Sequence, residues 1–493
     1  MKLVLLADLH DAATDGVGSR RMSVWATLIL KRAVRRLNRF LKPDLVVFAG
    51  DLLENGCAPD ALERYRTIRS ILDALQMPWI ALPGNHDAPP DVFYQVFPKP
   101  EDKLDLQGIR WMCFLDPSAP HWSAVRLPED LARSAAAGEG WNGPIIALQH
   151  VPLFLPGTVP CPYNYENAEK ALQTARKGGI SLILSGHYHA GFSPVTVNGI
   201  TSVSAPALCE APFQFLEIEF HQGKLLRVIP HALRMPEGLC LPESHVHTEL
   251  AYCADDISVS QALSAGKLFS ASPLCFSEHT GQLYFDKDTF WSARFMANGL
   301  ETVQGRQNRM RDYFECVASC GLSRKRIGFE VDFDHRGRMV LQPEDRALAG
   351  FLLGSYHWTP ESAARSPFDP QVCAERLRVI WESMLCSGID VLAHPFRMYG
   401  LTEYDPPPEL FRDLAGRLAK AGVAAELNYH NEEPYPEFVR ACLDAGVRFS
   451  FGTDSHSLVE VCEFWPHLQL LRGMGVRDSD LDQFLWRPDL SIG

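Results

Sequence analysis

The chain has 493 residues, too many for one ordinary hydrophobic core, so two or more domains are expected. With 46% hydrophobic and 22% charged residues it has the composition of a globular protein. The net charge of -13 is unevenly placed, because residues 1–240 hold 23 Lys and Arg against 24 Asp and Glu, whereas residues 241–493 hold 24 against 36. An acidic second half argues against nucleic-acid binding there, since phosphate backbones are bound through Lys and Arg.

Five apolar runs of strand length in the first half each end in polar residues. The runs are KLVLLADLH, DLVVFAGD, WIALPGNHD, PIIALQH and ISLILSGHYH. Continuous apolar runs predict strands covered on both faces, and in such sheets the strand ends carry the chemistry. The polar residues delivered there are Asp8, His10, Asp51, Asn85, His86, His150, His187 and His189. Carboxylate, amide and imidazole ligands suit a pair of divalent ions (Mn, Fe or Zn), with Asp51 able to bridge them.

The order D-x-H, G-D, G-N-H-D, H and G-H-x-H, over residues 1–235, resembles the calcineurin-like metallophosphoesterase family. The resemblance implies a helix-flanked β-sandwich, the αββα arrangement. It implies one metal held by Asp8, His10, Asp51 and His189, and a second held by Asp51, Asn85, His150 and His187. His86 would be the catalytic histidine that steadies or protonates the leaving oxygen while a metal-bound hydroxide attacks phosphorus.

Basic residues near these motifs are candidates for contact with an anionic substrate. Arg20 and Arg21 follow His10 in a loop and are candidate phosphate ligands. A predicted helix over residues 25–42 carries arginines largely on the side opposite its apolar residues. We expect that side to be a solvated helix face; the alternative is a basic patch that steers substrate. These arginines are Arg32, Arg35, Arg36 and Arg39.

A proline-rich stretch at residues 230–242 predicts a short linker, so we place a metallophosphoesterase domain at residues 1–236 and a second domain at 237–493. Strand-like runs in the second half again end in polar residues, and helical patterns separate them. The pattern predicts a barrel-like α/β domain of about seven strands. The residues concerned are His245, His247, Glu278, His279, Glu330, His357, His394, Asp454 and His456.

The motifs HVHT, SEH, GFEVDF, GSYH, AHP and GTDSH, over residues 240–465, resemble the PHP (polymerase and histidinol phosphatase) family, most closely its histidinol-phosphatase branch. The resemblance implies a distorted (β/α)7 barrel with two or three metals. One metal would be held by His245, His247, Glu330 and Asp454. A second would be held by Glu330, as a bridging carboxylate, with His357 and His394, and a third by His279 and His456.

One position departs from the PHP pattern. Where the family usually has Asp or His about eight residues after the first His, this chain has Cys253. A thiolate can bind zinc, a shifted carboxylate such as Asp256 could serve instead, or the third site could be weak or empty. Arg397, three residues after His394, is a candidate ligand for substrate phosphate.

Two complete ligand sets in one chain predict a bifunctional metal-dependent phosphoesterase. We expect a phosphodiester to be cleaved in the first domain and a phosphomonoester in the second; in one version of this hypothesis the two domains act in sequence on one substrate. The alternatives are a nucleic-acid processing enzyme, or one active domain with the other as a regulatory or assembly module. The expected partner is a small phosphorylated substrate, with nucleic acid disfavoured and no membrane. Thirteen cysteines without a C-x-x-C pair favour reduced thiols and a cytoplasmic location; oligomeric state is left open.

Overall fold

The computed structural model describes residues 1–16, 19–221, 224–270, 273–364, 367–430 and 433–490. The chain forms two compact units, Met1–Arg234 and Met235–Gly493. The division falls two residues before the boundary expected from the proline-rich stretch. Each unit has its own sheets and helices.

The first unit alternates strands and helices over most of its length. Its strands are β1 (Lys2–Leu6), β2 (Leu45–Ala49), β3 (Trp79–Leu82), β4 (Lys103–Leu106), β5 (Ile109–Cys113), β6 (Ser118–Ala119), β7 (Ser123–Ala124), β8 (Ile145–Leu148), β9 (Leu182–Ser185), β10 (Phe192–Val197), β11 (Ile200–Ser204), β12 (Gln214–His221) and β13 (Lys224–Ala232). Its helices are α1 (Ala26–Arg36), continued by a π-helical turn at Leu37–Leu41, α2 (Ala61–Leu72), α3 (Pro90–Phe93), α4 (Pro128–Ala135) and α5 (Ala168–Lys177).

Two mixed sheets face each other in this unit. One has the order β13-β12-β1-β2-β3 and the other β10-β11-β9-β8-β5-β4. Strands β1, β2 and β3 run parallel in the first sheet, as do β5, β8 and β9 in the second. Apolar side chains of both sheets, such as Val47 and Leu184, share one buried core. The predicted apolar runs therefore form the inner layers, and their polar ends leave the sheets at common edges.

The arginines of α1 correct one expectation. The predicted solvated face is wrong for Arg32 and Arg36, which are both buried. Arg36 Nη1 donates to the main-chain oxygen of Ala232, 2.6 Å away, at the end of β13. These two guanidinium groups serve the packing of the helix, so they do not form a basic patch for substrate either.

The second unit is built mainly from parallel strands and helices. Its strands are β14 (Phe276–His279), β15 (Ile327–Asp332), β16 (Leu352–Ser355), β17 (Val391–Leu392), β18 (Ala424–Asn428) and β19 (Phe449–Gly452). Its helices are α6 (Val259–Leu268), α7 (Thr280–Tyr284), α8 (Lys287–Trp291), α9 (Met310–Ser319), α10 (Pro343–Arg346), α11 (Pro360–Ala363), α12 (Pro370–Leu385), α13 (Arg397–Gly400), α14 (Pro408–Ala421), α15 (Pro436–Ala445), α16 (Trp465–Gly473) and α17 (Leu481–Phe484).

Among the described residues of the second unit, six strands, and not the expected seven, form one parallel sheet in chain order, β14 to β19. The extended segment 243–247 forms main-chain bridges to both ends of this sheet. Glu243 bridges Leu274 just before β14, and Val246 bridges Ser455 just after β19, both in the parallel sense. The segment thereby brings the first predicted ligands, His245 and His247, next to the carboxyl ends of the strands.

Within the described ranges, no helix is long and apolar enough to cross a membrane.

Candidate metal centres

The strand ends of the first unit bring its predicted ligands into two adjoining groups. In one, ligand atoms of Asp8, His10 and His189 lie within 4.8 Å of one another. His10 Nε2 and His189 Nε2 are 3.2 Å apart, and Asp8 Oδ1 is 4.0 Å from each. Two nitrogens bound to a single ion at about 2.1 Å stand roughly 3.0–3.4 Å apart, so this spacing suits one metal.

Asp51, His150 and His187 form the second group. His150 Nε2 lies 3.2 Å from His187 Nδ1 and 3.2 Å from Asp51 Oδ2, and Asn85 Oδ1 is 2.9 Å from the same nitrogen. Asp51 Oδ2 also lies 3.6 Å from His10 Nε2 in the first group. The carboxylate of Asp51 thus stands between the two groups, where a bridging ligand is needed.

The backbone at these ligands is strained. Left-handed φ angles are uncommon for residues other than glycine and concentrate at functional sites. In the described chain they occur at ligands of both units: Asp8 (57°), His10 (50°), Asp51 (55°), His187 (66°), His394 (27°) and Asp454 (51°). The surrounding packing must hold these turns in place, which favours a fixed ligand geometry.

Each of the four histidines predicted as metal ligands in the first unit has its outer ring nitrogen bonded to an acceptor. His150 donates to the main-chain oxygen of Ala49 (2.7 Å), and His187 donates through Nε2 to that of Trp122 (2.9 Å). His189 Nδ1 lies 2.6 Å from Glu210 Oε1, and His10 Nδ1 lies 3.1 Å from Glu54 Oε2. These contacts orient the other nitrogen of each ring, with its lone pair, toward the cluster, as metal-bound histidines require. The residues present therefore fit a two-metal site.

Glu54, Glu210 and Trp122 are not predicted from the sequence. Glu54 and Glu210 are single carboxylates in loops, and the contact from Trp122 is made by main chain. No spacing relative to the metal motifs marks any of the three.

His86 lines the cavity of the first unit beside Asn85 and His189. Its Nδ1 donates to the main-chain oxygen of Glu54 at 2.9 Å, which leaves Nε2 as the nitrogen available to a substrate. Its main-chain N–H donates to Asp51 Oδ1 at 2.8 Å. Asp87, in contrast, does not orient the His86 ring in the described structure: its buried carboxylate accepts bonds from Leu52, Leu53, Gly84 and Tyr65.

Burial and neighbouring charges shift the ionisation of this cluster. Burial raises the pKa of Asp8 to about 7 and lowers that of His187 to about 3. For Asp51, burial raises the pKa, but the attraction of His150 and His10 outweighs it and holds the pKa well below its usual range. A lowered pKa favours the ionised form of Asp51, the form that binds a cation.

The cavity over this cluster has a volume of about 550 Å³ and is lined by Arg21, Trp122, Tyr163 and Tyr188 as well as by predicted ligands. Arg21 Nη1 contacts Glu54 and lies 3.3 Å from His10 Nδ1, so its guanidinium is partly engaged within the protein. Arg20 is exposed. Of the two predicted phosphate ligands, only Arg21 faces the cavity.

Glu330 is the centre of the cluster in the second unit. Its Oε1 lies 2.8 Å from His394 Nε2 and 2.9 Å from His357 Nε2. Its Oε2 lies 2.7 Å from His279 Nδ1, 3.3 Å from His245 Nε2 and 3.5 Å from His247 Nε2. One carboxylate oxygen thus faces each of two histidine sets, the arrangement expected for a bridging carboxylate.

Asp454 and His456 complete this cluster. Asp454 Oδ1 is 3.0 Å from His247 Nε2 and 3.5 Å from His245 Nε2. His245, His247, Glu330 and Asp454 form one group of ligand atoms within 4.8 Å, and His247, His279 and His456 form another. The structure places His279 against Glu330 as well as near His456, so its ring borders two of the predicted metal positions.

Four buried atoms in this cluster make no hydrogen bond of good geometry within the described protein: His245 Nε2, His279 Nδ1, Glu330 Oε2 and His394 Nδ1. The first three lie close together, with both nitrogens within 3.3 Å of Glu330 Oε2, and buried polar atoms without well-formed hydrogen bonds are costly. Burial by itself raises the pKa of Glu330 and Asp454, but the surrounding histidines hold both pKa values well below the usual range. Anionic oxygens and inward-facing imidazole nitrogens fit divalent ions.

Three carboxylates that are not predicted metal ligands contact the outer ring nitrogens of histidines that are. His245 Nδ1 lies 2.6 Å from Glu426 Oε1, His247 Nδ1 3.0 Å from Glu278 Oε1, and His357 Nδ1 2.9 Å from Asp332 Oδ1. Glu278 is among the strand-end residues noted in the sequence, whereas Asp332 stands two residues after Glu330 in β15, a spacing that places both on one face of the strand and could have identified it.

Of the two additional candidates for a third metal position, Cys253 lies at the cavity and Asp256 is exposed. Cys253 lines the cavity over the cluster with His279 and His456, and its thiol accepts a bond from Gln282 Nε2 at 3.2 Å. Burial raises the pKa of this thiol well above its usual range, which disfavours a thiolate in the metal-free protein. Asp256 is exposed, and its carboxylate accepts the main-chain N–H of Leu458 at 2.9 Å.

Arg397 lines the same cavity, whose volume is about 630 Å³, as do Asp454 and His456. In the described part of the chain, no carboxylate lies within 4.0 Å of its guanidinium, so the charge faces the cavity without an ion-pair partner. An unpaired guanidinium beside a metal cluster is suited to a phosphate oxygen.

The match to a protein family lies in the first unit. The family model of the calcineurin-like phosphoesterases matches residues 1–191, which include all five motifs predicted there. The match supports a calcineurin-like metallophosphoesterase domain at the N-terminus, and with it the binding of divalent metal ions.

Individual relatives carry related names. A probable cyclic nucleotide phosphodiesterase of Synechococcus sp. is 30% identical over 156 residues, 30% of this chain and 59% of the relative. A cAMP/cGMP dual specificity phosphodiesterase of Mycobacterium tuberculosis is 29% identical over 227 residues, 41% of this chain and 67% of the relative. A crystal structure of a dimetal phosphatase from Danio rerio, at 14% identity and a TM-score of 0.39, covers 47% of this chain and 98% of that one. The first of these relatives is matched over only 59% of its own length, and the family match supports phosphoesterase chemistry for the first unit.

Proposed function

We propose that the chain is a bifunctional metal-dependent phosphoesterase, with a phosphodiesterase site in the first unit and a phosphomonoesterase site in the second. The observation that carries the proposal is that each unit holds its own bridging carboxylate, Asp51 or Glu330, surrounded by histidines whose inner nitrogens face it. Neither ligand set is truncated, so neither unit has the composition of an inactive remnant.

For the first unit, the relatives named as cyclic nucleotide phosphodiesterases favour a phosphodiester substrate. Divalent ions in this cluster would supply Lewis acidity and lower the pKa of a water molecule. The protein's own part falls to His86, whose Nδ1 is fixed by the Glu54 carbonyl. Its Nε2 would donate a proton to the leaving oxygen, and Arg21 would neutralise part of the phosphate charge.

For the second unit, we assign the parallel sheet, closed by the segment 243–247, and the ligand groups around Glu330 to the PHP family. The His and carboxylate groups would hold two or three ions, and Arg397 would orient the phosphate of a monoester. The acidic balance of residues 241–493 favours a small phosphate ester over nucleic acid as the substrate.

The test uses three full-length proteins with Mn²⁺: wild type, Asp51→Asn and Asp454→Asn. Each is assayed on one aryl phosphodiester and one aryl phosphomonoester. We expect Asp51→Asn to lose diesterase activity alone and Asp454→Asn to lose monoesterase activity alone. If one variant keeps both activities, its unit is not a catalyst for these substrates, and a regulatory or assembly role for that unit replaces the proposal.

A further inference from the structure

A second cavity, of about 320 Å³, adjoins the cavity over the cluster of the second unit. The two cavities share the side chains of Trp291, His357, Trp358 and Arg397. His357 is a predicted metal ligand, and Arg397 is the unpaired cation described above. A group bonded to a phosphate in the first cavity therefore extends naturally into the second.

Aromatic rings form the boundary between the two cavities. The rings of Trp291 and Trp358 have centroids 6.5 Å apart and stand at 89° to each other, forming a corner. Phe290 packs against both, with centroid distances of 5.2 Å, and also lies 5.7 Å from the ring of His279. The corner is thus attached directly to the ligand cluster.

The polar side chains that line the second cavity are already used within the protein. Asp369 accepts the main-chain N–H groups of Gln371 and Val372 at the start of α12. Glu361 pairs with Arg376 at 2.7 Å. Thr359 and Ser362 bond each other in a capping box at the start of α11. Because these groups are satisfied, the surface that remains for a ligand is apolar and aromatic.

Three apolar side chains of this lining are exposed to a degree unusual for their size: Trp291 (47%), Val372 (42%) and Leu401 (61%). Clustered exposed apolar groups beside a site mark a surface that a ligand covers. Apart from Arg397 and His357, which lie where the two cavities meet, the described polar side chains named above are already paired, so a planar apolar ring that stacks on an indole suits this cavity better than a charged group.

Resting on the phosphomonoesterase function proposed for the second unit, we propose that this second cavity binds the organic part of the substrate and selects phosphomonoesters that carry a large apolar aromatic group. Trp291 and Trp358 are the residues that determine this specificity, and Arg397 holds the phosphate at the junction of the two cavities.

Binding is tested with two phosphonates that no phosphoesterase cleaves, phenylphosphonate and methylphosphonate, by calorimetry with Mn²⁺ on the full chain carrying Asp51→Asn. We expect phenylphosphonate to bind at least about tenfold more tightly, because the ring buries apolar surface. Trp291→Ala should reduce the ratio of the methylphosphonate Kd to the phenylphosphonate Kd about threefold or more, while the Kd of methylphosphonate itself stays unchanged. Trp291→Phe should keep most of this ratio, because it retains an aromatic ring. Val303→Ala, at a position that is 87% exposed and outside this cavity lining, is the control.

The same proteins are assayed on 1-naphthyl phosphate and glycerol 1-phosphate, to separate the inference from the function on which it rests. Ring selectivity that depends on Trp291, without cleavage of either ester, supports the cavity assignment and contradicts the monoesterase function. Cleavage of both esters with equal kcat/KM, or a loss of affinity in Trp291→Ala that is equal for both phosphonates, overturns the cavity assignment and leaves the function standing.

Discussion

Two glycines, Gly84 and Gly50, lie so close to Asp51 and His150 that a larger side chain would not fit at either glycine position. A Cβ atom added to Gly84 would lie 2.2 Å from Asp51 Oδ1 and 2.7 Å from His150 Cε1. One added to Gly50, where φ is +94°, would lie 2.6 Å from His150 Nδ1. Two glycines therefore set the distance between the strand end that carries Asp51 and the loop that carries Asn85.

Gly84→Ala is expected to displace the Asp51 carboxylate and to lower diesterase kcat/KM about 100-fold, because a shift of about 1 Å at a reacting centre has that effect. Steady-state kinetics on the aryl phosphodiester measure it. The matched control is Gly416→Ala in the exposed part of α14, where an added Cβ meets nothing within 4 Å. That change should leave activity intact and add about 0.5–1 kcal/mol to stability. Equal activity of the two variants would contradict the packing argument.

Glu426 acts on the second cluster through other residues. Besides its contact with His245, its Oε2 accepts the main-chain N–H of His394 at 2.9 Å and a bond from Asn428 at 3.1 Å. Glu426→Gln is expected to weaken Mn²⁺ binding in the second unit about 10- to 100-fold, because the carboxylate orients His245 and raises its basicity. Metal titration by calorimetry measures the change. Glu315→Gln, in an exposed pair with Arg311, serves as control; an equal affinity in both variants would refute the role.

The clustering of the predicted ligands follows from sequence, because strand-end residues such as Asp51 and Asp454 come at the ends of apolar runs. Glu426 could not be identified in that way, since a carboxylate that bonds an imidazole across the sheet leaves no fixed spacing along the chain. The contact from the Trp122 carbonyl depends on backbone geometry alone. Residue type marks the ligands, whereas the groups that orient them are defined only by the fold.

At the scale of elements, α2 holds the loop that carries His86. The Tyr65 hydroxyl, buried on this helix, donates to Asp87 Oδ1 at 3.0 Å and accepts the Ala88 N–H at 2.8 Å. Tyr65→Phe should cost about 1–3 kcal/mol, because both partners stay buried without a replacement. Thermal unfolding measures it as a fall in Tm.

Tyr94→Phe is the matched control, since the buried Tyr94 hydroxyl has no partner within the described residues. Removing that hydroxyl should be neutral or slightly stabilising. A Tm loss as large as that of Tyr65→Phe would show that ring packing, and not the bridge to Asp87, sets the stability of this loop.

Elements with continuous apolar runs were predictable, because β1, β2, β8 and β9 are buried on both sides. Helix α1 was predicted as a helix, but the environment of its arginines was not, since periodicity alone cannot show that Arg36 would meet the end of β13. The segment 243–247 is short and lacks a continuous apolar run, so the sequence does not predict it as part of the sheet. Its role there is shown only by its bridges to residues next to two distant strands.

At the scale of the whole molecule, the two clusters belong to units with separate cores. Mn²⁺ at 100 times its Kd should stabilise a unit by about 2.7 kcal/mol if it binds only the folded state. In wild type, calorimetric unfolding is expected to show two transitions, each with a Tm that rises when Mn²⁺ is added. Asp51→Asn should abolish the rise in Tm of one transition, and Asp454→Asn should abolish that of the other. A single transition that responds equally to both substitutions would contradict independent sites.

The bridges of segment 243–247 also bear on how the protein is made. This segment leaves the ribosome before any strand of its unit, yet one of its two neighbours, the stretch after β19, is translated some two hundred residues later. His245 and His247 therefore cannot contact Asp454 until most of the unit has been synthesised. Contacts so distant along the chain form slowly, and an unpaired strand edge invites aggregation in the interval. The nascent chain thus depends on its last strands to complete a binding site that its first residues begin.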